Sequence, residues 1–356
     1  MRKTLKKFYN RKKVLITGVT GFKGTWLCSW LLELGANITG IGYNPNLNKN
    51  LFYKLKLNNK INLKLFDIRD ISKLNSLVKK SKPSIIFHLA AQPLIYESYK
   101  KPLETFDINS RGTLNILEVT RLNKFIKSVV IVTSDKCYAN NYSTKGFKEN
   151  DRLGGVDPYS ASKASAEITV KAYRESFFSK KNIVGISTGR AGNVIGGGDW
   201  SPKRLIPDSI KFLRKNKSIY LRNPNFNRPW QFVLEPIKGY LLLGLKQFYN
   251  PKKYSGAWNF GTERNSVTSV KKIVQYIIEF WGSGKLKINK QKKFYEQQNL
   301  QLNIQKSKRI LNWKPTYNIK QSVYVTVDWY SQVLNNKKSP IDITNEQINR
   351  YMDESK

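Results

Sequence analysis

The chain has 356 residues, with 63 Lys and Arg against 24 Asp and Glu and a formal charge of +39. That length suits one large α/β unit with an added lobe, or two domains, and the even spread of Lys, Asn and Ile argues against a dedicated nucleic-acid face while leaving a surface that draws in anions. Two distant cysteines, Cys28 and Cys137, make neither a disulfide framework nor a zinc site, and with His88 as the only histidine, acid–base work falls to Tyr, Lys, Asp or Glu.

The N-terminus, Met1-Arg2-Lys3-Thr4-Leu5-Lys6-Lys7-Phe8-Tyr9, is basic but leads into no apolar signal region, and no apolar run is long enough to span a bilayer. No membrane partner is expected, and the chain reads as cytosolic. Lys13-Val14-Leu15-Ile16 is a short strand feeding Thr17-Gly18-Val19-Thr20-Gly21-Phe22-Lys23-Gly24, and helical spacing follows from Trp26 to Leu34. Strand, glycine turn and helix in that order predict a dinucleotide site, because glycines let the backbone approach a pyrophosphate and a helix N-terminus offers free N–H groups. Gly18, Thr20, Gly21, Phe22, Lys23 and Gly24 are the candidate contacts. The next strand, Asn37 to Tyr43, ends without an Asp or Glu for an adenosine ribose and without an Arg for a 2′-phosphate, so NAD and NADP both stay open. Leu63-Lys64-Leu65-Phe66 reaches Asp67-Ile68-Arg69-Asp70, where Asp67, beside Ile68, is placed to accept from an adenine amino group and Asp70 to cap the next helix. Ile85 to Gln92 reads as a fourth strand. Its Ala90, Ala91 and Gln92 let a cofactor lie close, and His88 within it reads as a packed strand residue. A long helix from Leu103 to Leu122 carries Asn109.

Ser128-Val129-Val130-Ile131-Val132-Thr133 is a buried parallel strand by its β-branched run, which puts Ser134, Asp135 and Lys136 at its carboxyl end, where open α/β sheets hold ligands. A helix from about Asp157-Pro158 to Phe178 follows, with Tyr159 and Lys163 at i and i+4 on one face. A phenol, a hydroxyl, a carboxyl and two amines therefore meet in one pocket. This Tyr-x-x-x-Lys pair with an upstream Ser resembles the catalytic set of the extended short-chain dehydrogenase/reductase superfamily. For a phenol that titrates near ~10 to act as a base near neutrality takes roughly 4 kcal/mol. An exposed ion pair supplies only about 0–1 kcal/mol. The resemblance implies that Lys163 and the oxidised nicotinamide ring act together on Tyr159 in a water-poor site.

Beyond the strand at Ile183 to Ser187, the run from Gly189 to Trp200 reads as a glycine-rich connection lining the cleft, with Asn193 in it. Arg204, Arg222 and Arg228 follow, interleaved with Pro224, Pro229 and Trp230; arginine forks suit a diphosphate and an aromatic ring suits a base or sugar. Helices from Leu234 to Phe248 and Ser269 to Trp281, with a strand at Ala257 to Phe260, complete the chain. The predicted fold is α/β, a Rossmann-type doubly wound parallel sheet with a smaller, mixed α/β C-terminal substrate lobe. Residues 1–195 form the dinucleotide-binding domain, 229–262 return to it, and 196–228 with 263–350 form the lobe.

Several segments are specific enough to indicate a narrower family: Lys23-Gly24-Thr25-Trp26-Leu27, Ala90-Ala91-Gln92-Pro93-Leu94, Ser134-Asp135-Lys136-Cys137-Tyr138, Gly154-Gly155-Val156-Asp157-Pro158-Tyr159, Arg190 to Trp200, and Arg222-Asn223-Pro224 with Arg228-Pro229-Trp230-Gln231. They resemble CDP-glucose 4,6-dehydratases over nearly the whole chain. The resemblance implies NAD as cofactor, CDP-glucose as substrate, a homodimer or dimer of dimers, and a destination in deoxysugars of surface polysaccharide such as lipopolysaccharide O-antigen. By that analogy Tyr159 takes the 4-hydroxyl proton, Ser134 holds the oxygen, Lys163 lowers the phenol and grips the ribose, Lys136 removes the C5 proton and Asp135 protonates the departing 6-hydroxyl. Asn193, Arg204, Arg222 and Arg228 grip the nucleotide sugar. Two positions depart from the pattern: Tyr96 stands where Arg is common and Phe232 where His is common, both expected near the sugar-nucleotide cleft. A 4-epimerase or reductase would keep Tyr159 and Lys163 but have no use for the Asp135-Lys136 pair. A non-catalytic basic binding protein would need neither.

Overall fold

The structure is a computed structural model that describes residues 1–43, 50–139, 146–179, 183–221, 223–263, 268–288 and 301–355. Seven parallel strands form the central sheet: β1 (Lys13–Thr17), β2 (Asn37–Gly42), β3 (Asn62–Leu65), β4 (Ile85–His88), β5 (Ser128–Val132), β6 (Gly185–Ala191) and β7 (Gly256–Phe260). Their order is β7-β6-β5-β4-β1-β2-β3, so the winding reverses between β1 and β4 and leaves a crevice at their carboxyl ends. Side chains alternate across the sheet. Leu15, Ile41, Ile86, Val129 and Ile131 enter one core layer with helices α3 (Ile71–Ser81), α4 (Gly112–Leu122) and α5 (Pro158–Tyr173). Val14, Ile16, Phe87, Val130 and Val132 enter the opposite layer.

That second layer contains α1 (Arg2–Tyr9), α2 (Phe22–Glu33) and α7 (Leu234–Tyr249). Helix α2 is buried from Gly24 through Leu31 on all sides, because α10 (Pro340–Glu354) covers the face that α7 leaves. Trp30 meets Tyr351 edge-on at 5.6 Å, and Arg2 pairs with Asp353 at 2.7 Å. Among the described residues the smaller lobe combines α6 (Leu205–Arg214), α8 (Val270–Trp281) and α9 (Ile319–Leu334) with two two-stranded pairings, antiparallel Asn227–Arg228 with Thr268–Ser269 and parallel Ile219–Leu221 with Leu286–Ile288.

Several elements differ from the sequence reading. Strand β6 runs on through Gly189-Arg190-Ala191, which had read as connection: Gly189 leaves room for the Tyr240 ring, whose Cε1 lies 2.5 Å from where a Cβ would sit. Strand β4 stops at His88, before Ala90 turns in against the glycine turn. The helix from Leu103 to Leu122 is interrupted by a π-helical turn, Asp107–Arg111, and the Tyr159 helix ends in another, Arg174–Phe178. Helices α1, α9 and α10 were not foreseen. The Val323 to Val327 stretch has strand-like alternation, but a reciprocal cap between Asn318 and Gln321 and packing on α8 make it helical. Asp70 caps α3 by accepting from Lys73 N at 3.0 Å, as expected.

Candidate active site

Gly18 adopts φ +67, and a Cβ there would lie 2.7 Å from the Ala90 nitrogen. A Cβ on Gly24 would lie 2.1 Å from the Gly18 carbonyl oxygen. These glycines bring the turn after β1 against the Ala90-Ala91 segment and the first turn of α2. Thr17 Oγ1 fixes the contact by accepting from Ala90 N at 3.2 Å. Helix α2 starts at Phe22 after Gly21 with neither a side-chain cap nor an acidic first turn, so the N–H groups of Phe22, Lys23 and Gly24 lack intrahelical partners. Thr20 is buried beside them. The cradle and its donors fit the pyrophosphate of the expected dinucleotide. Burial lowers the Lys23 ammonium to about 8, with Arg204 adding to the effect and Asp135 opposing it.

Other predicted cofactor residues are held mostly by the protein itself. Asp67 Oδ1 accepts from Arg69 N and Nε, each at 2.9 Å, and Oδ2 from the other end of the same guanidinium at 2.6 Å. Ile68 packs under Gly112. Asn109, in the π-turn, accepts from Gln92 N at 2.9 Å and donates to Gln92 O and Ser162 Oγ, so it ties the loop after β4 to α5. Gln92 closes its own loop through Leu94 and Thr105.

His88 is a packed strand residue, its ring nitrogens 2.7 Å from Thr17 Oγ1 and 3.3 Å from Thr113 Oγ1. Burial, with the Lys163 charge adding, lowers it from 6.5 to about 3. Between those values an unfolded chain binds a proton that the folded one refuses, so stability is full above pH 6.5 and falls as pH drops toward 3, by up to about 1.4 kcal/mol per pH unit. With no second histidine, urea midpoints between pH 6.5 and 5 should fall more steeply for the parent than for His88→Asn; equal slopes would reject this.

The structure brings the catalytic candidates close together. Asp157 and Pro158 start α5, Asp157 Oδ1 accepting from Ser160 N at 2.9 Å, and this sets Tyr159 and Lys163 on the face toward β5. Ser134 caps the short turn Asp135–Cys137; its hydroxyl donates to Asp135 Oδ1 at 3.0 Å and accepts from Lys136 N at 3.2 Å. Tyr159, Ser134, Asp135 and Lys163 are all buried, while Lys136 is half-buried. Burial pushes the Tyr159 phenol up to about 12, opposed by the Ser134 hydroxyl and the Arg204 charge. Burial also raises the Asp135 carboxyl, against the pull of Lys136, Ser134, Lys23 and Arg228, and its Oδ2 has no hydrogen-bond partner. Burial thus biases this carboxyl toward its protonated form. Burial lowers Lys163 to about 8, against Glu167.

On the substrate side, Arg204 pairs with Asp199 at 2.9 Å and its charge reaches both Lys23 and Tyr159. Arg228 is buried near Asp135. Asn193 is half-buried in the segment after β6, its carbonyl accepting from Gln231 N. Arg222 lies outside the described residues. Phe232 corrects an expectation: it is fully buried between Trp26, Tyr317 and Tyr351, in the core under α10 and away from the cleft. Tyr96 is exposed beside the cleft residues, with Lys203 Nζ 3.0 Å from its ring centroid. Sequence reasoning missed Glu167 and Arg190, a buried ion pair at 2.7 Å directly behind the candidate residues. The signal was there in the i+4 spacing of Glu167 from Lys163.

The sequence profile of the GDP-mannose 4,6 dehydratase family matches residues 15–326. A CDP-glucose 4,6-dehydratase of Salmonella typhimurium is 40% identical over 330 residues, 91% of this chain and 92% of its own. A human dTDP-D-glucose 4,6-dehydratase is 27% identical over 92% of this chain and 92% of its own. Among solved structures, a dTDP-glucose 4,6-dehydratase from Bacillus anthracis in complex with NAD superposes with a TM-score of 0.76 at 23% identity, covering 90% of this chain and 97% of its own. An epimerase from Methanothermobacter thermautotrophicus gives 0.80 at 22%, covering 94% and 97%. These neighbours share the overall fold, and the family match extends through the Ser134 and Tyr159 segments. The chain belongs to the GDP-mannose 4,6 dehydratase family and, within it, groups with the CDP-glucose 4,6-dehydratases.

Proposed function

We propose that the protein dehydrates CDP-D-glucose to CDP-4-dehydro-6-deoxy-D-glucose, moving a hydride from C4 to C6 of one bound hexose. The observation that carries this reading is the joining of a buried Asp135, its carboxyl raised by that burial, and its neighbour Lys136 to the Ser134, Tyr159 and Lys163 set. The identity to the Salmonella enzyme supports the nucleotide. An epimerase needs only the second group.

The chemistry that NAD supplies when bound is hydride storage, taken from C4 and given back at C6. The glycine turn holds its pyrophosphate and Lys163 its ribose. Tyr159 accepts the 4-hydroxyl proton as the C4–H bond breaks, with Ser134 hydrogen-bonded to the oxygen that becomes the ketone. That ketone acidifies C5–H; Lys136 takes the C5 proton, and Asp135 gives its proton to the 6-hydroxyl, which leaves as water. Hydride addition at C6 and proton return from Lys136 to C5 complete the product, and exchange with solvent takes the 4-hydroxyl proton off Tyr159 and restores the one Asp135 gave, so one water is lost overall and the redox state is unchanged. Even with the Ser134 hydroxyl and the Arg204 charge opposing burial, the Tyr159 phenol stands at about 12, so it becomes a base only when further positive charge, that of the nicotinamide ring, lies beside it.

Arg204 and Arg228, with Arg222, take the diphosphate side and Asn193 the sugar side. Residues 1–195 with 229–262 serve the cofactor, and 196–228 with 263–350 serve the nucleotide sugar. The proposal extends to a cytoplasmic homodimer or dimer of dimers that feeds deoxysugars to surface polysaccharide. The oligomer is supported by apolar side chains exposed on the outward faces of α4, α5 and the turns that flank them: Leu103 is 84% exposed and Ile168 58%. A single-chain mass by sedimentation would remove it. For the reaction, CDP-glucose carrying deuterium on C4 should give product with that deuterium on the C6 methyl group, read by mass spectrometry alongside dTDP-, UDP- and GDP-glucose. Loss of the label, or recovery of a C4 epimer with no deoxysugar, sinks the reading.

A further inference from the structure

Helix α5 carries a third group on the face that presents Tyr159 and Lys163. Glu167 lies one turn past Lys163 and is 3% exposed. Its Oε1 accepts from Thr133 Oγ1 and, at 2.9 Å, from Arg190 Nε; its Oε2 accepts from Thr188 Oγ1 at 2.8 Å and from the Arg190 fork at 2.7 Å. The other arm of Arg190 donates to Tyr138 Oη at 2.7 Å and to the Glu149 carbonyl at 2.9 Å, and its guanidinium stacks on the Tyr138 ring at 4.8 Å. Tyr138 Oη in turn donates to Asn259 on β7 at 2.7 Å. Thr133 precedes Ser134, and Tyr138 closes the segment that holds Asp135 and Lys136. One carboxylate therefore touches the start of the loop directly and its end through Arg190, and belongs to the helix that carries the phenol and the amine.

We infer that Glu167, clamped by Arg190, is a positioning residue that fixes the Ser134 loop against the Tyr159 helix and supplies the anion that keeps Lys163 charged. A buried ion pair that served only the fold would be replaceable by apolar groups of equal volume at little cost. This one has a second neighbour that needs it. The groups facing Lys163 are Tyr159 and Glu167 on its own helix, Cys137 from the turn after β5, His88 from β4 and Lys23 from the start of α2. Burial drives the Cys137 thiol well above its usual range and holds His88 neutral. Glu167 remains ionised: burial would raise it, but the Arg190 charge and the hydrogen bonds from Arg190, Thr133 and Thr188 outweigh that. It is the anion of this set at neutral pH.

The inference rests on the dehydratase reading for its kinetic arm only, so a titration made on the protein itself keeps the two apart. The Lys163 amine is titrated by competitive acetylation across pH 6 to 10 with peptide mass spectrometry, and the pH profile of kcat is recorded in parallel. Two variants are used, Glu167→Gln and the double Glu167→Gln, Arg190→Met, the latter sparing the fold an unpaired guanidinium. Because Lys163 must hold its proton and loses an anion, its titration and the alkaline limb of kcat should both move to lower pH by about one unit, a roughly tenfold loss at the old midpoint, with KM changed less than about threefold. Glu167→Asp, which keeps the charge, should restore the titration. A Lys163 titration that stays in place while activity tracks only the melting temperature overturns the inference. Should neither Gln variant fold, Arg190→Lys decides: it should lower kcat with KM and the limb unmoved, and parent-like kcat overturns the positioning role.

Discussion

Tyr159→Phe should lower kcat for dehydration by about 10³-fold, within the 10²–10⁴ range that a positioned proton acceptor contributes. The ring stays, so the buried packing around it persists and the melting temperature should hold; what goes is the oxygen that receives the 4-hydroxyl proton. Ser134 remains to bind the sugar oxygen, but its hydroxyl donates to Asp135 and has no base behind it. KM for the nucleotide sugar should therefore change little while kcat collapses, because the lost interaction exists only as the C4–H bond breaks. Steady-state kinetics of the folded variant decide the matter, and turnover within threefold of the parent would remove Tyr159 from the reaction.

The second large effect belongs to Lys136→Ala, and it separates two halves of one turnover. Oxidation at C4 should proceed, since Tyr159, Ser134 and Lys163 are untouched, whereas water loss should slow by about 10²–10⁴-fold for want of a base at C5. Acid quenching should release a 4-keto hexose with its 6-hydroxyl intact, with no solvent deuterium at C5 in heavy water, and with absorbance of reduced cofactor persisting on the protein. The half-buried side chain sits on a three-residue turn anchored by Ser134, so its loss opens no core cavity. Parent-like dehydration by this variant would strip Lys136 of its role and leave the Asp135-Lys136 pair without a purpose.

Which parts of the molecule could be read beforehand follows from how locally each is determined. Strands such as Val129 to Val132 are apolar on both faces and flanked by turns, so the sheet was visible residue by residue. The proximity of the candidate residues was visible because a strand end and an i,i+4 spacing are themselves geometric statements. Arg190 was misplaced in a connection because its strand character depends on Glu167 and Tyr240, far away in sequence. Phe232 was sent to the cleft because a neighbour in sequence was taken for a neighbour in space, while Trp26, Tyr317 and Tyr351 claim it for the core. Val-rich α9 hid behind a strand-like pattern that only tertiary packing overrides.

The contact of α10 with α2 also bears on how the fold is reached. Arg2 and Asp353 are 351 positions apart, and Tyr351 both shields Trp30 and donates to buried Glu235 at 2.6 Å. During synthesis the nucleotide-binding half emerges with its Trp30 flank bare and waits for most of the chain to follow. A pause in translation near residue 330 would prolong that sticky stage, when chaperone capture or self-association competes with closure.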